Sequence, residues 1–125
     1  MSEATDVARR LFAAIEAGDV DAVKALYHPD AEIWHNTDGV TKSFDHTMQV
    51  VEWMIANMPG VRYTDVHLSP TDDGFVSRHV VATTRADGVE ATLPCSLVAT
   101  VRDGQLFRLY EYFDSAAQAR FGPPM

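Results

Sequence analysis

The sequence predicts an α+β fold in which about three N-terminal helices lie against a strongly curved sheet. Two observations predict it. Apolar residues recur at helical spacing as far as Met58 and alternate thereafter, so the hydrophobic period changes from 3.6 to 2 in mid-chain. Two Asp-Gly pairs, Asp87-Gly88 and Asp103-Gly104, then divide the alternating part as hairpin turns do. Helices collected at one end of a mostly antiparallel sheet make an α+β arrangement. A chain of 125 residues fits one domain, 1–125, with one core.

Thr5 or Asp6 caps a first predicted helix that runs to about Ala17, with Val7, Leu11, Ala14 and Ile15 on one face and Gly18 as its stop. Asp19 caps a shorter helix carrying Val23, Leu26 and Tyr27. His28-Pro29-Asp30 ends it, because the residue before proline resists the helical region. Ala31 to Gly39 reads as a strand closing in a Thr37-Asp38-Gly39 turn. Ser43 caps a third helix, apolar at Val50, Val51, Met54, Ile55 and Met58, which Pro59-Gly60 terminates. Four strands follow, over 61–69, 75–85, 89–102 and 105–113. A final helix is predicted over 115–120, with Gly122-Pro123-Pro124 as a frayed tail.

Composition narrows the function classes. Hydrophobic content is 46%, charged content 22% and net charge -8, with Lys24 and Lys42 the only lysines. Nucleic acid and anionic membranes need clustered cations, so neither is an expected partner. One cysteine, Cys95, leaves no internal disulfide, and no His and carboxylate set has metal-ligand spacing. No apolar run reaches membrane-spanning length and the first residues lack a signal-peptide pattern, so a cytoplasmic location is expected.

The stretch Trp34-His35-Asn36 crowds an aromatic, an imidazole and an amide into one strand, which suggests the wall of a polar-lined pocket. If both Asp-Gly pairs are two-residue loops, Arg102 faces Gln105, Arg85 faces Glu90, and outward counting sets His79, Ser96 and Glu111 in one row. Leu109, Phe107, Val81 and Val98 flank that row. Val80, Leu93, Cys95, Leu97, Leu106, Tyr110 and Tyr112 share the opposite face. Pro94 cannot donate to a ladder and marks a place where a bulge would shift the count. Burial raises a carboxyl pKa and lowers an imidazole pKa, so Glu111 and His79 suit acid–base work near neutrality.

The element order, Leu26-Tyr27-His28-Pro29-Asp30-Ala31 followed by Ile33-Trp34-His35-Asn36, and Asp103-Gly104-Gln105-Leu106 leading to Glu111-Tyr112-Phe113-Asp114 resemble the SnoaL-like branch of the nuclear transport factor two superfamily. The resemblance covers nearly the whole chain. It implies a cone-shaped, curved mixed sheet wrapped around the helices, and a cofactor-free small-molecule pocket of the ketosteroid isomerase and polyketide cyclase kind. Glu111 stands where limonene epoxide hydrolase has an acidic residue before Tyr-Phe-Asp; Trp34 and Asn36 stand at its first-strand Tyr and Asn. At the isomerase's first-strand base this chain has His35 or Asn36, not a carboxylate.

The expected site therefore has Glu111 and His79 as acid and base, with Trp34, His35, Asn36, Ser96 and Leu109 contacting a small apolar, oxygen-bearing substrate, and no metal or cofactor. The alternative is a module of the same fold that binds without turnover. The apolar face opposite His79 and Glu111 predicts a homodimer through the sheet.

Overall fold

A computed structural model describes residues 2–121. The elements are α1 (Glu3–Ala17), α2 (Val20–Ala25), β1 (Tyr27–His35), β2 (Thr41–Ser43), α3 (Phe44–Asn57), β3 (Arg62–Pro70), β4 (Gly74–Thr84), β5 (Glu90–Arg102), β6 (Gln105–Phe113) and α4 (Ser115–Phe121). The predicted tail at Gly122-Pro123-Pro124 lies outside the described residues. The six strands form one mixed sheet in the order β2-β1-β6-β5-β4-β3, with β1 and β6 parallel and the other pairs antiparallel. The fold is thus the expected α+β one.

Local signals act largely as predicted. The Ser2 hydroxyl, not Thr5 or Asp6, caps α1, and Gly18 ends it in a left-handed conformation at φ 69°. The Asp19 and Ser43 side chains accept from the third residue beyond them and cap α2 and α3. The helix before His28-Pro29 stops sooner than its apolar pattern suggests, and Tyr27 already belongs to β1. Between Tyr27 and Glu32 the pairing with β6 is irregular, which accommodates Pro29, a residue with no N–H to donate. The edge strand β2 was not anticipated; its three residues pair with Glu32, Ile33 and Trp34.

The register differs from the sequence count at two places. Asp103-Gly104 is the two-residue turn expected, both residues having positive φ, and Arg102 faces Gln105. Beyond it, Val101 faces Leu106 but Thr100 faces Arg108, so Phe107 is an extra residue on β6. The guanidinium carbons of Arg102 and Arg108 sit 3.8 and 4.1 Å from the Phe107 ring centre. The other turn is longer than expected. Arg85 N–H donates to Val89 O, Gly88 takes positive φ, and Thr84, not Arg85, faces Glu90. Arg85 instead meets Asp87, and Glu90 meets Arg62.

Consequently Glu111 faces Leu97 and His79 faces Cys95. Both remain on the helix-covered face, but the expected His79–Ser96–Glu111 row does not form. Leu93, Cys95, Leu97 and Leu106, expected on the opposite face, are all buried core residues. The outer face carries Ser96, Val98, Tyr110 and Tyr112. Trp34 joins them, its ring 6.2 Å from Tyr110 and 5.4 Å from Tyr112.

Where β4 begins, Gly74 lies so close to β5 that an added Cβ would fall 1.8 Å from the Ala99 carbonyl oxygen. Backbone cannot yield as a flexible side chain does. Gly74→Ala is therefore expected to destabilise the fold by roughly 3 kcal/mol or more, at the upper end of overpacking costs, measured as a lower midpoint of urea unfolding.

Candidate functional site

The inward side chains of β1, β4, β5 and β6 and the apolar faces of α1 and α3 enclose a cavity of about 80 Å3. Leu11, Phe12 and Ile15 come from α1; Val50, Val51 and Met54 come from α3; Ile33, Leu93, Leu97 and Leu109 come from the sheet. His46 lines the cavity yet is exposed, so the opening lies on the α3 side. The polar groups set into this apolar wall are His35, Glu111, His79, Tyr27, Tyr63, Cys95 and Thr47, with His46 and the Asp38-paired Lys42 also lining it.

The parallel register of β1 and β6 brings His35 beside Glu111. His35 Nε2 is 3.1 Å from Glu111 Oε1. An ionised carboxylate only accepts, so Nε2–H donates. His35 is 5% exposed and its ring meets Phe113 edge-on at 5.6 Å. Its Nδ1 is buried and has no hydrogen-bond partner among the described residues, where the imidazole is hydrogen-bonded through Nε2. The Glu111 side chain keeps 26% exposure and reaches the cavity.

His79 lies two strands from Glu111 with β5 between them and two residues along from the position directly across, so their backbones are about 12 Å apart at ordinary strand spacing. Its Nδ1 is 2.8 Å from the Ser77 hydroxyl, and its ring packs against Phe12 and Tyr63 at 4.9 and 5.2 Å. Burial pushes its pKa down, opposed by the negative charge of Glu111. Burial, reinforced by Glu111, raises the pKa of the Tyr27 and Tyr63 phenols and of the Cys95 thiol. All three stay protonated at neutral pH.

Of the expected site residues, Glu111, His79, His35 and Leu109 line this cavity. Trp34 and Ser96 do not, because strand alternation turns them to the outer face. Asn36 is also diverted. Its Nδ2 donates to Phe113 O at 3.1 Å, its Oδ1 accepts from Phe113 N–H at 2.9 Å, and so both ends of the amide extend the β1–β6 ladder rather than meet a ligand. The sequence reading missed Tyr27 and Tyr63. Tyr27 resembled an apolar helix residue, and no local signal marked Tyr63 among the alternating residues of β3. Among the described residues no three His, Cys, Asp or Glu side chains converge as a metal set, and no helix is long and apolar enough to cross a membrane.

The pattern of the SnoaL-like domain family matches residues 8–109, most of the chain. The chain belongs to that family. No curated protein matches this SnoaL-like chain. Solved structures resemble it at low identity. An NTF2-like protein of unknown function from Burkholderia pseudomallei shares 21% identity over 96% of this chain and 97% of its own, with a TM-score of 0.80. IdmH of Streptomyces antibioticus, a candidate polyketide cyclase, shares 20% identity over 95% of this chain and 97% of its own, with a TM-score of 0.82. A protein of ketosteroid isomerase-like fold from Catenulispora acidiphila, in complex with trimethylamine, shares 13% identity over 89% and 87%, with a TM-score of 0.76. These matches agree with the NTF2-like, ketosteroid isomerase-like arrangement of helices and mixed sheet.

The buried His79 makes stability depend on pH with a definite sign. Its pKa in the folded state lies below the ordinary 6.5, so below that pH the unfolded chain binds the extra proton. Its contribution is constant above about pH 6.5 and becomes increasingly unfavourable as pH falls toward the folded-state value. Comparing unfolding free energies of the parent and His79→Phe between pH 5 and pH 8 should show a shallower loss toward low pH in the variant.

Proposed function

We propose that this SnoaL-like protein is a cofactor-free acid–base enzyme acting on a small, mostly apolar, oxygen-bearing molecule, with Glu111 as the proton-transfer group. The single observation that supports this most strongly is the 3.1 Å His35–Glu111 contact at the wall of an apolar cavity. A base must be held still against its substrate, and His35 holds one carboxylate oxygen while leaving the other for the ligand. Glu111 would take a proton from carbon next to a carbonyl. The C–H electron pair becomes a C=C bond as the C=O π pair moves onto oxygen, and return of the proton at another carbon, with the C=O bond re-formed, completes an isomerisation. The same enolate gives cyclisation if its carbon attacks a second carbonyl of the substrate, whose oxygen then takes the proton, and dehydration if it expels a β-hydroxyl, which takes the proton and leaves as water.

A screen over small enones, lactones and epoxides, with Glu111→Gln as control, tests this reading. Turnover of one class is expected in the parent, reduced by roughly 100- to 10,000-fold in the variant, the usual worth of a positioned acid–base group. A Glu111→Gln change that alters affinity alone would favour the non-catalytic binding module instead.

The outer face of the sheet supports a second proposal, a homodimer through that face. Val76, Val98, Tyr110 and Tyr112 are 37 to 45% exposed there, beside the half-buried Trp34 and Val80. Burying about 600 Å2 of such apolar surface per subunit contributes on the order of 15 kcal/mol before association entropy is subtracted, and a two-fold axis lets one patch cover its own copy. Arg108 is already matched by Glu32 at 3.2 Å, which lowers the cost of covering it. Sedimentation at micromolar concentration should give a dimer for the parent and a monomer for Tyr112→Asp; a monomeric parent would end the proposal.

A further inference from the structure

Ser77 is a hydroxyl on the inner face of β4, between Phe75 and His79, and is 0% exposed. It faces Leu97 on β5 and Leu68 on β3, so no solvent reaches it. Among the described residues its hydroxyl makes one hydrogen bond, to His79 Nδ1 at 2.8 Å. The direction of that bond follows from the cost of the alternative. If Nδ1 carried the proton and Ser77 accepted, the buried hydroxyl hydrogen would have no acceptor, a penalty of about 1–3 kcal/mol. If Ser77 donates, only an oxygen lone pair is left over. The donating arrangement wins, and it puts the one proton of a neutral imidazole on Nε2.

The strand spacing adds a second constraint. With β5 between them, and with no hydrogen bond joining His79 to Glu111 among the described residues, the two side chains are placed to meet different atoms of a bound molecule. His79 lines the cavity, and with Nδ1 engaged, Nε2 is the nitrogen it can offer there.

We propose that Ser77 is a positioning residue that fixes His79 as the Nε2–H tautomer, and that neutral His79 donates a hydrogen bond to the ligand oxygen that gains charge when Glu111 removes a proton. The inference deepens the proton-transfer reading of Glu111 and rests on it. It changes the role of His79 from an acid that gives up its proton to a fixed donor that keeps it. A neutral imidazole suits this role, because it stabilises developing negative charge without carrying a full charge into an apolar wall. The groups that share the cavity with His79 agree. Tyr63 from β3, Cys95 from β5 and Tyr27 from β1 are held protonated, Phe12 from α1 is apolar, Glu111 from β6 carries negative charge, and Lys42 from β2, paired with Asp38, and His46 from α3 also line it.

The test does not need turnover. Nitrogen-15 spectra of the imidazoles in the intact, ligand-free protein should show His79 neutral and as the Nε2–H tautomer from pH 7 to pH 8. Ser77→Ala should populate both tautomers. His79 found as Nδ1–H, or protonated at pH 7, would overturn the proposal. Because Ser77→Ala opens space in a packed core, His79→Gln provides a second arm, since its amide N–H reaches the position of Nε2–H but cannot act as acid or base. With p-nitrophenolate as an oxyanion probe, His79→Gln should bind within about twofold of the parent, and His79→Leu roughly 10- to 150-fold more weakly, the worth of one hydrogen bond to a charged group. Equal weakening in both variants would count against a donor role. A normal His79 tautomer in a protein whose Glu111→Gln variant loses nothing would instead reject the proton-transfer reading and leave the tautomer assignment standing.

Discussion

The parallel pairing of β1 with β6 is the contact on which the rest of the site depends. It joins the second quarter of the chain to its end, so every helix-to-sheet and hairpin contact between them must be compatible with it. Closing so long a loop carries an entropic cost that local hairpins avoid. Asn36 helps meet that cost at the point where the ladder ends, since its amide bonds the Phe113 backbone in both directions while its own N–H donates to Glu111 O at 3.0 Å. These bonds sit directly beside the His35–Glu111 contact. The geometry of the candidate base is thus set by main-chain and amide hydrogen bonds, which are more rigid than a surface loop.

Among the described residues lining the cavity, Glu111 is the one carboxylate and Lys42 the one lysine. Glu111 raises the pKa of Tyr27, Tyr63 and Cys95 and works against the burial that lowers the pKa of His79. The acids around it therefore remain neutral donors, and a second negative charge in the same apolar space is disfavoured. Nucleophilic chemistry at Cys95 is disfavoured for the same reason, because the thiolate is the reactive form and burial suppresses it. Proton transfer by a single carboxylate, with neutral donors placed at a distance, is the chemistry this arrangement accommodates best.

The fold was legible because it is written in periods and breaks. The change from helical spacing to alternation, the caps at Asp19 and Ser43, and the two Asp-Gly pairs act locally and carry their meaning in sequence. The face of each strand was less legible, because it depends on counting through irregularities. The extra residue at Phe107 is held by Arg102 and Arg108, and aromatic–guanidinium stacking across a turn leaves no mark that separates it from an ordinary alternating residue. The longer turn at Ala86-Asp87-Gly88 depends on Gly88 adopting positive φ after Asp87, a choice Asp-Gly permits without requiring.

These two irregularities explain why His79 and Glu111 lie on the face expected of them while their neighbours do not. Each shifts the count by one residue, and a shift of one exchanges the faces of a strand. Two shifts, one on either side of β5, return His79 and Glu111 to a common face, whereas β5 lies between the shifts and is read inside out. Hence Ser96 was expected inward and lies outward, while Leu93, Cys95 and Leu97 were expected outward and form the core. Pro94, the suspected cause of such an error, causes none, and the β4–β5 register runs through it unbroken. The β5–β6 ladder ends one residue away, at Cys95 opposite Phe113, so the missing N–H of Pro94 interrupts no pairing with β6. Its neighbours can therefore keep strict alternation, and that alternation is what sets Leu93, Cys95 and Leu97 beneath the helices and carries the cavity floor from His79 across to Glu111.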